Sequence, residues 1–350
     1  MRVGILSYPM LFQRMGGLQI QVRETIAALN HLDAGMCAEL VDPARQRLSE
    51  FDLIHVFSAI NGNVRVVESA VDLGIPVVLS PLVSPSWDRN AGFRARLADR
   101  LAGRISSYSL QTSYAQTKRA LQLADLVIAL GEAEREAIVN AFLTDRAKIR
   151  VYPNGISRQF FTARAELFRH RTGIVGPFVL TVGAVSPYKN QLGLAHALEG
   201  SELPLVMIGP VARDDHAYLQ SILKSPWVRW LGTLDHDDPL LASAFAAASV
   251  VALPSQGEVF PLSVLEALAA GTPVVMTQDC ALHLDGAEAM LRKVAWDDQQ
   301  AQRADIVSLA AQPPARASVQ ALVEQFTWQR VAAQVAACYR ELVPEAQGAV

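Results

Sequence analysis

The sequence predicts an α/β protein built from two doubly wound parallel sheets, and three observations predict it. Short apolar runs alternate with longer amphipathic segments along the whole chain, the pattern of parallel strands covered by helices. The runs fall into two sets of six, with the turn signal Pro153-Asn-Gly155 and the linker-like stretch Gly173 to Pro177 between them. The 350 residues suit roughly two domains of about 150 residues, each able to bury its own core. The expected division is 1–172, 173–326 and a terminal helical segment 327–350.

In the first half the candidate strands are Arg2 to Ser7, Ala38 to Val41, Leu53 to Phe57, Pro76 to Ser80, Leu126 to Leu130 and Ile149 to Tyr152. In the second they are Phe178 to Gly183, Leu205 to Gly209, Val228 to Leu231, Ser249 to Leu253, Pro273 to Thr277 and Leu291 to Ala295. Between the first two runs, Gly16-Gly17 precedes a helical pattern of Leu18, Val22, Ile26 and Leu29. The last helix, about Thr327 to Leu342, places Trp328, Val331, Val335, Tyr339 and Leu342 on one stripe that reads as core packing. Sheets of this kind bind ligands outside the carboxyl ends of their strands, so two facing domains predict a site in the cleft between them.

Composition excludes several classes. Hydrophobic residues make up 51% and charged residues 19%, a globular balance, and the net charge of −3 argues against a nucleic-acid surface, which needs a basic excess. The three cysteines, Cys37, Cys280 and Cys338, have no metal-type spacing, which points to a reduced, cytoplasmic compartment. No run reaches the roughly 18 apolar residues of a membrane span. The acid pairs Asp214-Asp215, Asp237-Asp238 and Asp297-Asp298 read as loop or helix-start charges, so no metal site is expected.

The most informative stretch is Pro254-Ser-Gln-Gly-Glu-Val-Phe-Pro-Leu-Ser-Val-Leu-Glu266. Pro254 and Gly257 break the strand before them, and a short helix from about Pro261 to Ala270 follows, with Pro in its first turn and Gly271 as its stop. Glu258 then lies on the loop and Glu266 on the helix. The unbonded backbone N–H groups of the stretch Phe260 to Ser263, which Pro261 interrupts, favour phosphate or sugar oxygens. A plainer reading is a capping box, Ser263-x-x-Glu266, in which Glu266 only satisfies backbone donors.

Three other segments carry chemistry. Gly16 and Gly17 let backbone approach a ligand at a helix start, but they lack the G-x-G-x-x-G spacing of a dinucleotide site. Val182-Gly-Ala-Val-Ser-Pro-Tyr-Lys-Asn190 sets Gly183, Lys189 and Asn190 after a strand, where a cation can neutralise a diphosphate. His55 lies inside an apolar strand, a place where histidines are commonly hydrogen-bonded core residues. Arg89 to Arg119 is rich in arginine, with Arg94, Arg96, Arg100 and Arg104 around Leu97 and Leu101, and shows no hydrophobic wedge.

The Glu258 to Glu266 pattern resembles the Glu-x7-Glu signature of glycosyltransferase family 4, retaining enzymes of the GT-B fold. Val259 and Pro261 stand where the family has glycines, and Ser263 where it has proline. Gly183 and Lys189 match its Gly-Arg-Leu-x-x-x-Lys-Gly segment, with Ala184 replacing the arginine, so that either Lys189 acts with backbone donors alone, another cation such as Arg213 substitutes, or the site is weakened. Gly209-Pro210 and Gly232 resemble its strand ends that border the nucleobase. Pro81-Leu82 occupies the place of a family histidine.

The resemblance implies a metal-independent transferase without cofactor, whose nucleoside-diphosphate sugar is its substrate. Glu258 would orient the sugar, Glu266 hold the ribose, Lys189 support the diphosphate, and the Gly16-Gly17 loop approach phosphate or acceptor. The terminal helix would return to the first domain. Acceptor loops are expected at Tyr8 to Gln13, Ser58 to Asn63 and Ser84 to Asn90, with His55, Asn61 and Trp87 on that side. The acceptor would be a carbohydrate or a lipid- or protein-linked glycan. The basic stretch reads as a solvated helix face, the other reading being contact with the inner face of the cell membrane, as in some relatives.

Overall fold

Twelve strands form where the apolar runs predict them, in a computed structural model that describes residues 1–13, 16–32, 35–106 and 112–344. The first six are β1 (Arg2–Leu6), β2 (Cys37–Leu40), β3 (Leu53–Phe57), β4 (Val77–Ser80), β5 (Leu126–Ala129) and β6 (Ile149–Val151). The second six are β7 (Val179–Val182), β8 (Leu205–Ile208), β9 (Val228–Trp230), β10 (Val250–Leu253), β11 (Val274–Thr277) and β12 (Leu291–Val294). They make two six-stranded sheets, ordered β2-β1-β3-β4-β5-β6 and β12-β11-β10-β7-β8-β9. Every pairing is parallel. Strands covered on both faces must be apolar throughout, which is why β3, β4, β5, β8, β10 and β11 are wholly buried.

Contacts divide the chain into one unit with the stretches around Met1–Arg14 and Leu18–Gly155 plus the chain from Trp328, and a second with Ile156–Thr327 and Gly16-Gly17. The helices Arg158–Phe161 and Glu166–Thr172 fall in the second unit, earlier in the chain than the expected start at 173. Their anchors explain it. Phe160 and Phe168 are fully buried against Phe245 and Phe178, and the Phe168 N–H donates to Ser243 Oγ at 2.9 Å. Burying each phenyl group is worth roughly 2–3 kcal/mol, more than a short linker position can offer.

In the first unit the helix Trp328–Leu342 buries Trp328, Val331, Val335 and Tyr339. Its start sits against Gly155, where a Cβ would lie 2.5 Å from Trp328, so only glycine fits the turn that ends β6. Two buried ionisable groups lie in the same core. His55 joins Tyr339 Oη at 2.7 Å and Ser80 Oγ at 2.9 Å through its two ring nitrogens, and burial lowers its pKa to about 3, so it is neutral. Glu134 accepts the N–H groups of Val83 and Leu130, each at 2.7 Å, and burial raises its pKa to about 7. Among the described residues no helix is long and apolar enough to cross a membrane.

Candidate functional site

In the second sheet the connection reverses direction between β7 and β10, and ligands bind outside the carboxyl ends of strands at such a switch point. The segment leaving β7 ends in a single 3-10 turn, Pro187–Lys189, and the segment leaving β10 runs from Pro254 to Pro261. The two are laced together. Gln256 N–H donates to Tyr188 O at 2.9 Å, Tyr188 Oη donates to Gly257 O at 2.8 Å, and Lys189 Nζ meets Glu258 Oε1 at 2.5 Å. Glu258 N–H donates onward to Asp279 O at 2.8 Å, tying the loop to the exit of β11. Gly257 is tight because a Cβ there would lie 3.2 Å from the Tyr188 hydroxyl.

A lysine and a glutamate half-shielded from water form a charge-assisted hydrogen bond, stronger than an exposed pair. Burial, with Glu258 and Asp279 adding to it, raises the Tyr188 pKa, so its phenol stays protonated and keeps donating. Burial also pushes the neighbouring Cys280 thiol up to about 11, which removes it as a nucleophile.

Pro261 stands at the N-cap of the helix Leu262–Ala269 rather than within its first turn, and no side chain caps it. The capping-box reading of Ser263 and Glu266 is therefore overturned: Glu266 is 4% exposed, and its Oε1 lies 2.9 Å from Nε2 of His236. Gly271 ends the helix at φ 77° as expected. The Phe260 and Leu262 side chains are buried, so only their backbone groups are available to a ligand. Asn190 takes the left-handed conformation at φ 56°, a role suited to glycine or asparagine, and its Nδ2 donates to Trp296 O at 2.7 Å. That bond turns its side chain into the fold, against the expectation that it binds donor.

Gly209 is required by packing. A Cβ there would lie 1.9 Å from Gly183 O, and its carbonyl accepts Trp230 Nε1 at 3.0 Å. Gly232 has φ 79° and open space around its Cα. Of the acid pairs, Asp238 and Asp298 cap helices, donating partners being the N–H groups of Leu240 and Ala301.

In the first sheet the switch point lies between β1 and β3. Gly17 opens the helix Gly17–Leu32 after β1, and Ser58 and Asn61 follow β3 at φ 73° and 61°. Leu82, beyond β4, has φ 57°, so Ser58 and Leu82, neither glycine nor asparagine, adopt costly backbone at neighbouring strand ends. His55 is corrected. His55 is buried with both nitrogens bonded, and Trp87 packs its ring on Tyr114 and Phe142. The His55 side chain is closed to an acceptor, while the Trp87 ring stays partly exposed.

The arginine-rich stretch is also corrected, because the helix Arg89–Ser106 does present apolar side chains: Phe93 is 60% and Leu97 51% exposed, beside exposed Arg89 and Arg94. Arg96 instead donates to Ala141 O at 2.8 Å, and Arg119 pairs with Glu68. The side chains of Arg100, Leu101 and Arg104 lie outside the described residues.

The family described as glycosyl transferases group 1 matches residues 176–312, which hold the Lys189–Glu258 pair and Glu266. The match covers most of the second unit. The chain is 28% identical over 256 residues to a D-inositol 3-phosphate glycosyltransferase of Kineococcus radiotolerans, covering 66% of this chain and 55% of that protein. It is 27% identical over 176 residues to the O-antigen chain mannosyltransferase B of Escherichia coli, covering 46% and 45%. The matched regions thus span about half the length of these curated relatives.

Among solved structures, sucrose-phosphate synthase of Thermosynechococcus elongatus superposes with a TM-score of 0.73 at 20% identity, covering 98% of both chains. HepE of Anabaena in complex with UDP and glucose gives 0.70 at 20% identity, covering 97% of this chain and 100% of that one. The fold is that of the GT-B proteins.

His236 and Tyr188 were missed by motif reading. A signal existed for the first: it is one of only seven histidines and lies on the loop leaving a strand, the ligand-binding edge of such a sheet.

Proposed function

We propose that the chain is a retaining glycosyltransferase that moves a sugar from a nucleoside-diphosphate donor to an acceptor hydroxyl. The Lys189–Glu258 pair at the switch point of the second sheet carries this reading. In it Lys189 leaves Glu258 for the diphosphate when donor binds, and Glu258 is freed to orient sugar hydroxyls. Glu266 takes the ribose hydroxyls, and the backbone N–H groups at Val259, Phe260, Leu262 and Ser263 support phosphate. Such a site needs no side-chain nucleophile, because the leaving diphosphate itself takes the acceptor proton; placement and charge stabilisation supply the rate. The loops after β1, β3 and β4 receive the acceptor, a glycan, glycolipid or glycoprotein precursor. Phe93 and Leu97 among arginines give the peripheral-membrane reading its apolar contact.

Glu258→Gln and Lys189→Ala should each lower diphosphate release from the preferred donor by about a hundredfold, the scale of losing one charge-stabilising group. The measurement is a coupled assay across UDP-, GDP-, ADP- and dTDP-sugars. Unchanged turnover in both variants rejects the assignment. Ala184, exposed where the family has arginine, favours a second reading: a protein that binds nucleotide sugar without transfer. Binding without hydrolysis or transfer to any acceptor selects that one.

A further inference from the structure

We propose that His236 is a positioning residue for donor recognition, one that fixes the Glu266 carboxylate for the ribose; the inference rests on the ribose role given to Glu266 above. A buried carboxylate is costly unless hydrogen-bonded, and Glu266 is only 4% exposed. Its Oε1 lies 2.9 Å from His236 Nε2; a carboxylate oxygen accepts, so the ring nitrogen donates.

The imidazole is itself held from several sides. Its main-chain oxygen accepts Gln159 Nε2 at 2.8 Å, its ring lies 5.4 Å from that of Phe160, and its Nδ1 is 3.4 Å from Asp237 Oδ1. Phe160 is in turn pinned edge-on against Phe245. One carboxylate oxygen is thereby committed to the protein and the rotamer is fixed. The second oxygen is left for a vicinal diol, which supplies two donors where a deoxyribose offers one or none. His236 sits on the loop that leaves β9, so it also ties the β9 exit to the helix bearing Glu266.

The test is calorimetric titration of UDP, GDP and ADP, then of the tightest binder and its 2′,3′-dideoxy counterpart, against wild type, His236→Leu and His236→Gln. The glutamine amide reaches where Nε2 does, and leucine cannot donate. His236→Leu should weaken the ribonucleotide tenfold or more and the dideoxynucleotide less than twofold, with His236→Gln recovering most of the loss. If the leucine variant does not fold, His236→Asn, whose amide is too short for Glu266, takes its place with the same expectation. Equal weakening of both nucleotides, or of neither, overturns the positioning role while leaving the donor reading intact. Failure of wild type to bind any of the three overturns both.

Discussion

At the scale of single residues, two buried ionisable groups in the first unit oppose each other in their pH dependence. Native His55 resists protonation down to about 3, while an unfolded histidine takes a proton near 6.5, so its stabilising contribution is present above 6.5 and is lost as pH falls. Native Glu134 keeps its proton up to about 7, while an unfolded glutamate releases it near 4.5, so its contribution is present at low pH and is lost as pH rises. Between roughly 4.5 and 6.5 the slopes nearly cancel, each near 1.4 kcal/mol per pH unit. Urea unfolding at pH 7 and pH 5 should separate them. Relative to wild type on acidification, His55→Asn should gain and Glu134→Gln should lose stability, each by about 2 kcal/mol. Variants that track wild type at both pH values would show that neither group titrates as burial dictates.

At the scale of elements, the strands were legible because parallel strands buried on both faces must be continuous apolar runs, and that is a property of the sequence alone. The segments leaving β7 and β10 were legible as loops that bear charge. Their lacing through Tyr188 was not, since the bond is made to a backbone oxygen 69 positions away and leaves no mark in residue type. Glu266 was legible as a carboxylate on a helix. Its partner His236 was not, because a local rule, the capping box, explained Glu266 equally well until the helix start proved to be Pro261.

Helix ends carry a further consequence. The helix Glu132–Phe142 ends on Leu143 at φ 59°, 65% exposed, where leucine has no packing to compensate for left-handed backbone. Leu143→Gly should raise stability by about 0.5–1 kcal/mol, the relief of strain less the extra freedom of glycine in the unfolded chain. Leu143→Ala, which keeps a Cβ, should change it by less than about 0.5 kcal/mol. Thermal unfolding of the two variants decides whether strain or lost contact is responsible.

At the scale of the whole molecule, two sheets with separate cores imply two cooperative units whose local stabilities can be moved independently. In the first, Tyr339 joins the helix Trp328–Leu342 to β3 and β4 through His55 and Ser80. Tyr339→Phe leaves a buried ring nitrogen unpartnered, at a cost of about 1–3 kcal/mol. Amide hydrogen exchange should therefore quicken about 5- to 150-fold in β3, β4 and that helix, with β7, β8 and β10 unchanged. A nucleoside diphosphate at about 100 times its dissociation constant adds close to 2.7 kcal/mol to whatever binds it. On the donor reading of the second unit, it should slow exchange in β7, β8 and β10 by up to about a hundredfold and leave β3 and β4 as they were. If either perturbation moved both sets of strands equally, the chain would open as one cooperative body, and ligand and core substitution could not be assigned to separate units.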